Sequence, residues 1–305
     1  MRERVEWRAV LSMVPAMTGM GLASGRELAL FFGQLKSTAW LGIAAALIFF
    51  SSMTAILLWQ SQTSFSGTGM LSVLCTVLGM LTASLAAAIM LSRLGEMGEL
   101  ALPLRHSYAF GAALGGFAAL FMMGIDRRWI VGLGLYALLL LFYAACAIDP
   151  APVRVYAAIP VEFTLAGSRV AALALAFAYA SMNACACMWC LYGHARDALR
   201  PVPTGIKAML ILAVPLALAK MALNRGGDAI LPLRMPWVPL CARWGLPGFW
   251  ICIGLEYTCA AATLSAALKA LLKSLARSRR ERPLAVFMLT TSLVIFGVLT
   301  HGRSA

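Results

Sequence analysis

Nine apolar runs, each near the length of a membrane-spanning helix, dominate the chain: residues 7–32, 40–58, 70–92, 108–124, 129–148, 170–192, 206–223, 248–272 and 284–300. About 20 apolar residues cross the hydrocarbon core as a helix, and within that core every backbone N–H and C=O must bond inside the protein. Only helices and closed barrels satisfy that condition. The runs are continuous and lack the period-two alternation of barrel strands. The expected fold class is therefore an all-α polytopic membrane protein. Composition agrees: 62% of the 305 residues are hydrophobic and 12% charged, against about 45–50% and about 25% in soluble domains. Connections are short, so residues 1–305 read as a single transmembrane domain. Two longer proline-containing stretches, 149–168 and 224–246, carry few charges and read as loops packed against the bundle.

The placement of Lys and Arg sets the orientation. With a cytoplasmic N-terminus, thirteen of them fall inside and ten outside, and the dense cluster over 269–282 is inside. The expectation is a multi-pass protein with its N-terminus in the cytoplasm. The net charge of +13 then reports topology and attraction to anionic lipid. No basic soluble module is present to bind nucleic acid. A charged start followed by an apolar stretch and "GLASG" also fits a cleaved signal peptide. The return of apolar residues at 28–32 favours a spanning helix interrupted in its middle instead.

Of the eight cysteines, all but Cys241 lie within the runs, where a thiol behaves as a small hydrophobe. The motif "CACMWC", 185–190, keeps a soft-metal site open as the alternative, because Cys187 and Cys190 are three residues apart. No histidine or carboxylate lies near it in sequence. His106, His194 and His301 sit at run ends and read as interface residues.

The stretch "GMGLASGRELALFFG", 19–33, is the most informative in the chain. A helix broken at Gly19 and Gly21 leaves backbone groups unpaired at mid-membrane, which is tolerated only against protein, water or a ligand. Broken helices also present two half-helix ends that bind ions and charged substrate groups. The alternative is close helix packing through small residues. Ser24, Gly25, Arg26 and Glu27 follow at once, and ionisable groups within a membrane mark function more often than packing. A second polar island, "FAYASMNACACMWC", places Tyr179, Ser181 and Asn183 in the sixth run. If runs one to five repeat in inverted orientation from the sixth onward, the first and sixth runs are pseudo-symmetric partners, and paired interruptions point to a transporter site. Simple interhelical hydrogen bonding is the alternative for Tyr179 and Asn183. Glu256, a carboxylate within the eighth run, is a candidate proton carrier.

These segments resemble a known family. "GMGLASGRELALFFG" is similar to the first-helix signature of the YkvI-like bacterial membrane proteins, approximately G-A-G-F-A-S-G-Q-E before a Phe-rich turn. "AYASMNACACMW" resembles that family's sixth helix, and "GEMGELALPLRHSYAFGAAL" its loop between the third and fourth helices. The resemblance implies the LeuT-like fold of the amino acid–polyamine–organocation superfamily. That fold is a five-plus-five inverted repeat with helices 1 and 6 broken around a central site, working by cation-coupled alternating access in the bacterial plasma membrane. It implies a first repeat over about 7–148 and a second, incomplete one over about 170–300. Nine runs stand where the fold has ten: either two elements are merged in one run, or the tenth helix is missing, which would leave one side open to lipid or to a partner such as a second copy in a homo-oligomer.

Carried over by motif, Gly19, Gly21, Ser24, Gly25 and Glu27 would bind substrate, with Arg26 in place of the usual Gln and so placed to neutralise Glu27. The family's sodium site would correspond to the carbonyls of Pro15 and Thr18 with the Thr258 hydroxyl. Cys259 stands where a second hydroxyl is usual, which weakens a sodium site. No cofactor is expected beyond Na+ or H+ as coupling ion. The resulting expectation is a secondary transporter of a small solute, amino-acid-like or an organic cation. A non-transporting receptor or scaffold on a degenerate transporter fold is the alternative. No nucleophile–base pair, metal-ligand cluster or phosphate loop is visible, so an enzyme is not expected.

Overall fold

The computed structural model describes residues 2–18, 22, 25–33, 35, 38–63, 70–102, 104, 106–125, 128–148, 169–191, 199–226, 230 and 235–277. Gly19, Gly21, Ser24, the stretch 149–168, the ninth run 284–300, His194 and His301 lie outside the described residues. All regular structure among the described residues is helical. The elements are α1 (Arg2–Met17), α2 (Arg26–Leu28) continued by a π-type turn (Ala29–Gly33), α3 (Ala39–Thr63), α4 (Met70–Ala101), α5 (Ser107–Met123), α6 (Arg128–Ile148), α7 (Arg169–Leu191), α8 (Pro201–Gly226), α9 (Trp237–Ala242) and α10 (Gly245–Arg277).

Among the described residues, six segments are long and apolar enough to cross a membrane: Ala39–Gln62, Met80–Ala101, Arg128–Ile148, Arg169–Met188, Pro201–Gly226 and Gly245–Leu272. Ser107–Met123 is apolar but shorter. The outer surface explains itself only in lipid. Phe121 is 80% exposed, Ile148 77% and Phe117 71%, and many further Leu, Ile and Trp side chains face outward with them. Exposed apolar surface on this scale is a liability in water and ordinary in hydrocarbon. The chain is a polytopic membrane protein.

The first run departs from α-helical geometry after Met17: Thr18 and Leu22 are π-helical, Gly25 turns left-handed, and α2 starts at Arg26. The expected break at Gly19 and Gly21 lies outside the described residues. The expected break of helix 6 is not found. α7 runs unbroken through Ser181 and Asn183. The Ser181 hydroxyl donates to the Phe177 carbonyl at 2.7 Å and the Asn183 amide to the Tyr179 carbonyl at 3.0 Å. Each polar side chain bonds one turn back on its own helix, so neither breaks it. α4 continues past the end of the third run, which makes Arg93, Glu96 and Glu99 helical residues rather than loop charges. Within 224–246 the chain forms α9, whose Trp237, Leu240 and Cys241 are buried.

Side-chain contacts sort the helix ends into two sets. At the end of the bundle where α1 starts, here the proximal end, Glu6 bonds Arg200 and Lys207 at the start of α8. Gln62 at the end of α3 donates to Leu199 O at 2.8 Å, and Arg8 stacks over Trp129 at the start of α6. At the distal end Glu27 pairs with Arg93, and Arg243 donates to Cys146 O at the end of α6. The ends of successive spans thus fall on opposite sides of the bundle at each of these contacts, which is the alternation a set of spanning helices requires.

α1 packs against α6, α7, α8 and α10, and nearly every residue from Ala9 to Met17 is buried. Pro15 lies inside α1 and has no N–H to give the Leu11 carbonyl. Gly132 of α6 lies against that same carbonyl, where a Cβ would overlap it. The two backbones therefore meet through a proline that frees a carbonyl and a glycine that can approach it, a contact type suited to lipid, where small residues replace hydrophobic drive. Gly98 and Gly111 bring α4 and α5 together in the same close manner.

Glu6 lies just ahead of the first run with its side chain fully buried. It accepts from Arg200 Nε at 2.8 Å and from Lys207 Nζ at 2.5 Å. The Arg200 hydrogen bond is the main cause that holds its carboxyl at about 2, below the ordinary 4.5; burial opposes this and Lys207 adds to it. The lowered value means that the ionised clamp stabilises the fold above pH 4.5, and that this stability drains away as pH falls from 4.5 toward 2.

Two outcomes follow. Gly132→Val will separate α1 from α6, costing about 1–3 kcal/mol or more by overpacking, and will deplete the monodisperse peak in fluorescence-detected gel filtration. Gly134→Val, on the same helix with open space around it, will leave that peak intact. In acid titrations of thermal stability, Glu6→Gln will flatten the wild-type decline between pH 4.5 and 2.

Candidate functional site

The site is built around the interval between α1 and α2, in which Thr18 and Leu22 are π-helical and Gly25 is left-handed. A carbonyl that α-helical bonding does not satisfy needs another partner within a membrane. For Leu22 the partners come from two other elements. The Tyr143 hydroxyl of α6 donates to the Leu22 carbonyl at 2.5 Å, and the Trp237 indole Nε1 of α9 points to the same oxygen at 3.4 Å. Both side chains are fully buried and, with Phe142, form an aromatic cluster with Tyr143 and Trp237 centroids 5.1 Å apart. Gly25 completes the arrangement. Its φ is +71°, a left-handed conformation that a side chain resists, and the Trp237 ring occupies the space where a Cβ would project.

Glu27 lies within the distal segment. Its carboxylate is paired with the guanidinium of Arg93 from α4, and both side chains are largely shielded. Beside the local pairing with Arg26 that the sequence suggests, Glu27 thus has a partner from a distant helix. Adjacent residues on a helix point about 100° apart and do not face each other, so Glu27 turns inward while Arg26 is exposed. Arg93 also lies in the field of Glu96 and of Glu256. Glu256 of α10 is fully buried; its Oε1 faces the Cys252 thiol at 3.8 Å and its Oε2 has no hydrogen-bond partner among the described residues. One guanidinium thus stands among three carboxylates in a low-dielectric interior, where each proton gained or lost shifts the balance strongly.

α10 presents Cys252, Glu256, Cys259 and Thr263 on its buried face, the i, i+4, i+7, i+11 spacing of one helical stripe. Thr258, of the expected ligand set, is off this stripe by one residue and donates to Gly254 O of its own helix at 2.7 Å. Thr263 reaches the Pro15 carbonyl, with Cys259 O as a second acceptor within range. The Thr18 hydroxyl also points to Pro15 O, at 3.2 Å. Pro15 and Thr18 are therefore beside the gap as expected, but the Pro15 oxygen is already engaged by two hydroxyls, and Cys259 lies against Thr18.

The polar island of α7 is only partly assembled here. Tyr179 is buried and stacks edge-on against Phe31 and Phe32 of the π-type turn, at 5.5 and 5.2 Å between centroids. Asn183 is buried with its Oδ1 unpartnered among the described residues. The Ser181 hydroxyl, which donates to Phe177 O, also lies 3.3 Å from Met53 Sδ of α3. Cys187 and Cys190 are buried and Cys185 partly so; among the described residues no group of three or more His, Cys, Asp or Glu side chains could hold a metal ion.

Four residues of this site do not stand out in the sequence: Arg93, Tyr143, Trp237 and Thr263. Arg93 and Thr263 carry a usable signal, the continuation of a helical stripe past an apolar run or along its buried face. Tyr143 and Trp237 look like any buried aromatics until the gap is seen. No family model and no curated protein sequence matches the chain.

Removing the Tyr143 hydroxyl leaves a buried carbonyl short of its best donor, a loss of about 1–3 kcal/mol. Tyr143→Phe will therefore lower the thermal midpoint in detergent, whereas Tyr136→Phe, half-buried on the same helix, will leave it unchanged.

Proposed function

We propose that the chain is a secondary active transporter of a small solute, amino-acid-like or an organic cation. The observation that carries this reading is the interrupted first helix at the centre of the bundle, its Leu22 carbonyl held by Tyr143 and Trp237, with the buried Glu27–Arg93 pair and Glu256 beside it. Groups of this kind are expensive in hydrocarbon unless a pathway uses them. A backbone gap offers oriented N–H and C=O groups to the ends of a solute, and Glu27 offers a carboxylate to a cationic one once Arg93 lets go. The resemblance to the YkvI-like family and its LeuT-like fold supports the same reading, as does the alternation of helix ends. Gly19, Gly21 and Ser24, which fall in the gap by sequence, belong to the proposed substrate site.

Coupling is assigned to a proton through Glu256. A sodium ion needs hard oxygen ligands, whereas the Pro15 oxygen is occupied by hydroxyls and the adjacent position is Cys259. Glu256 has a neighbouring cation in Arg93 against which protonation can be read out. The positive-inside count supports a cytoplasmic N-terminus, and with it a cytoplasmic proximal end, and the resemblance supports a bacterial plasma membrane. A receptor or scaffold on the same fold would bind the solute without moving it.

A thermal-shift screen of amino acids and small amines identifies the solute, and proteoliposome uptake then separates the two readings. Wild type will accumulate the solute when a proton gradient is imposed and sodium will not substitute. Glu27→Gln will abolish uptake at equal membrane abundance, and Glu256→Gln will abolish its dependence on the gradient. Binding without uptake by wild type would establish the receptor; full uptake by Glu27→Gln would reduce Glu27 to a packing role.

A further inference from the structure

A second feature lies at the proximal end, away from the Glu27–Arg93 network. α1, the end of α5, α6, α7 and α10 enclose a small cleft, with Ser12, Pro15, Arg128, Cys190 and Ser265 in its wall and alanines of α10 completing it. Arg128 is the cation among the described residues of that wall. The Nε and Nη2 nitrogens of its guanidinium are buried and have no hydrogen-bond partner among the described residues. None of the ion pairs among those residues includes it.

An arginine at a helix end normally snorkels, leaving its nitrogens in water. These two nitrogens are shut away from solvent, so that explanation fails. A buried, unpaired guanidinium edge is costly. Nε and Nη2 form the side-on edge of the guanidinium, and two parallel N–H groups there match the two oxygens of a carboxylate or phosphate. The Ser12 hydroxyl already donates to the Ala9 carbonyl at 2.7 Å, so of the wall's two hydroxyls the one that can donate to the same anion is that of Ser265, and the rest of the wall is largely apolar. We infer that this cleft is an anion-binding site that takes a carboxylate or phosphate group, held bidentately by Arg128. The cleft is small, so it admits the charged end of a molecule and leaves the rest outside. Two sources share this chemistry: a free small anion and the head group of an anionic lipid. Neither requires that the protein transport anything, so this inference and the transport reading stand or fall separately.

The test uses the full chain in neutral detergent. Thermal midpoints are followed against inorganic phosphate and against acetate at fixed ionic strength, with chloride as the balancing anion. In parallel, lipid retention is read by native mass spectrometry after reconstitution with phosphatidylglycerol or phosphatidylcholine. Wild type will show a saturable rise with phosphate or acetate if the occupant is a free anion, or selective retention of phosphatidylglycerol if it is a head group. Arg128→Gln will weaken whichever effect is seen at least tenfold. Arg8→Gln, whose side chain stacks on the neighbouring Trp129 outside the cleft, will keep it. Ala266→Leu fills the cleft while leaving the guanidinium in place and will also abolish the effect; should Arg128→Gln fail to fold, this variant decides. No saturable effect of either anion and no preference for phosphatidylglycerol in wild type would overturn the proposal. Binding that survives both Arg128→Gln and Ala266→Leu would overturn it as well.

Discussion

Hydrocarbon offers no water to an unpaired carbonyl, and the arrangement of this bundle follows from meeting that constraint at one place. Between Met17 and Arg26 the first run leaves α-helical geometry, through π-helical Thr18 and Leu22 and left-handed Gly25. The Leu22 oxygen in that interval is bonded by side chains from α6 and α9, and both must be brought within reach. α6 comes close because Gly132 fits over the Leu11 carbonyl that Pro15 leaves free. α9 comes close because a short helix, too short to cross anything, lays Trp237 against Gly25, where no side chain stands in its way. Three glycine or proline positions and two aromatic hydroxyl or indole donors thus act as one unit, although they are spread over most of the chain.

The charged groups obey the same constraint in a different way. Two of the deeply placed acids are matched by cations supplied from another helix: Glu6 by Arg200 and Lys207, Glu27 by Arg93. Glu256 differs from them, with one oxygen turned to a thiol and the other unmatched among the described residues. In a medium of low dielectric, such an asymmetry makes its protonation depend on what Arg93 is doing at the time. That dependence is the physical basis for assigning it the coupling role.

Much of the scaffold is legible in the amino-acid order alone. Apolar runs of spanning length become helices because the bilayer permits little else, and the triple glycine followed by polar residues marks the interruption. What hydropathy and motif do not convey is side-chain direction, and short elements without periodicity. The polar island of α7 has the composition of a break, yet Ser181 and Asn183 are absorbed by carbonyls one turn back. Arg26 is the neighbour of Glu27 in sequence, and nothing in the order of residues announces that Arg93 of α4 also pairs with it. Thr258 is the hydroxyl that the motif singles out, whereas the spacing of Cys252, Glu256 and Cys259 leads to Thr263 on the buried face of α10. α9 gives no signal because six residues containing both tryptophan and proline are too few to show a period.

The Glu6 clamp has a mechanical corollary. α1 is held at its first turns by two cations at the start of α8, Arg200 just ahead of it and Lys207 within it, is gripped near its middle by the Gly132 contact with α6, and gives way at Thr18 to π-helical geometry. It is a lever fixed at one end with its working tip at the other. A tilt that swings the tip must pivot on the clamp, whereas a tilt that swings the base must first unseat Glu6 from both partners. The two motions have unequal barriers, and their difference is set by a carboxylate several helical turns away from where a solute would sit.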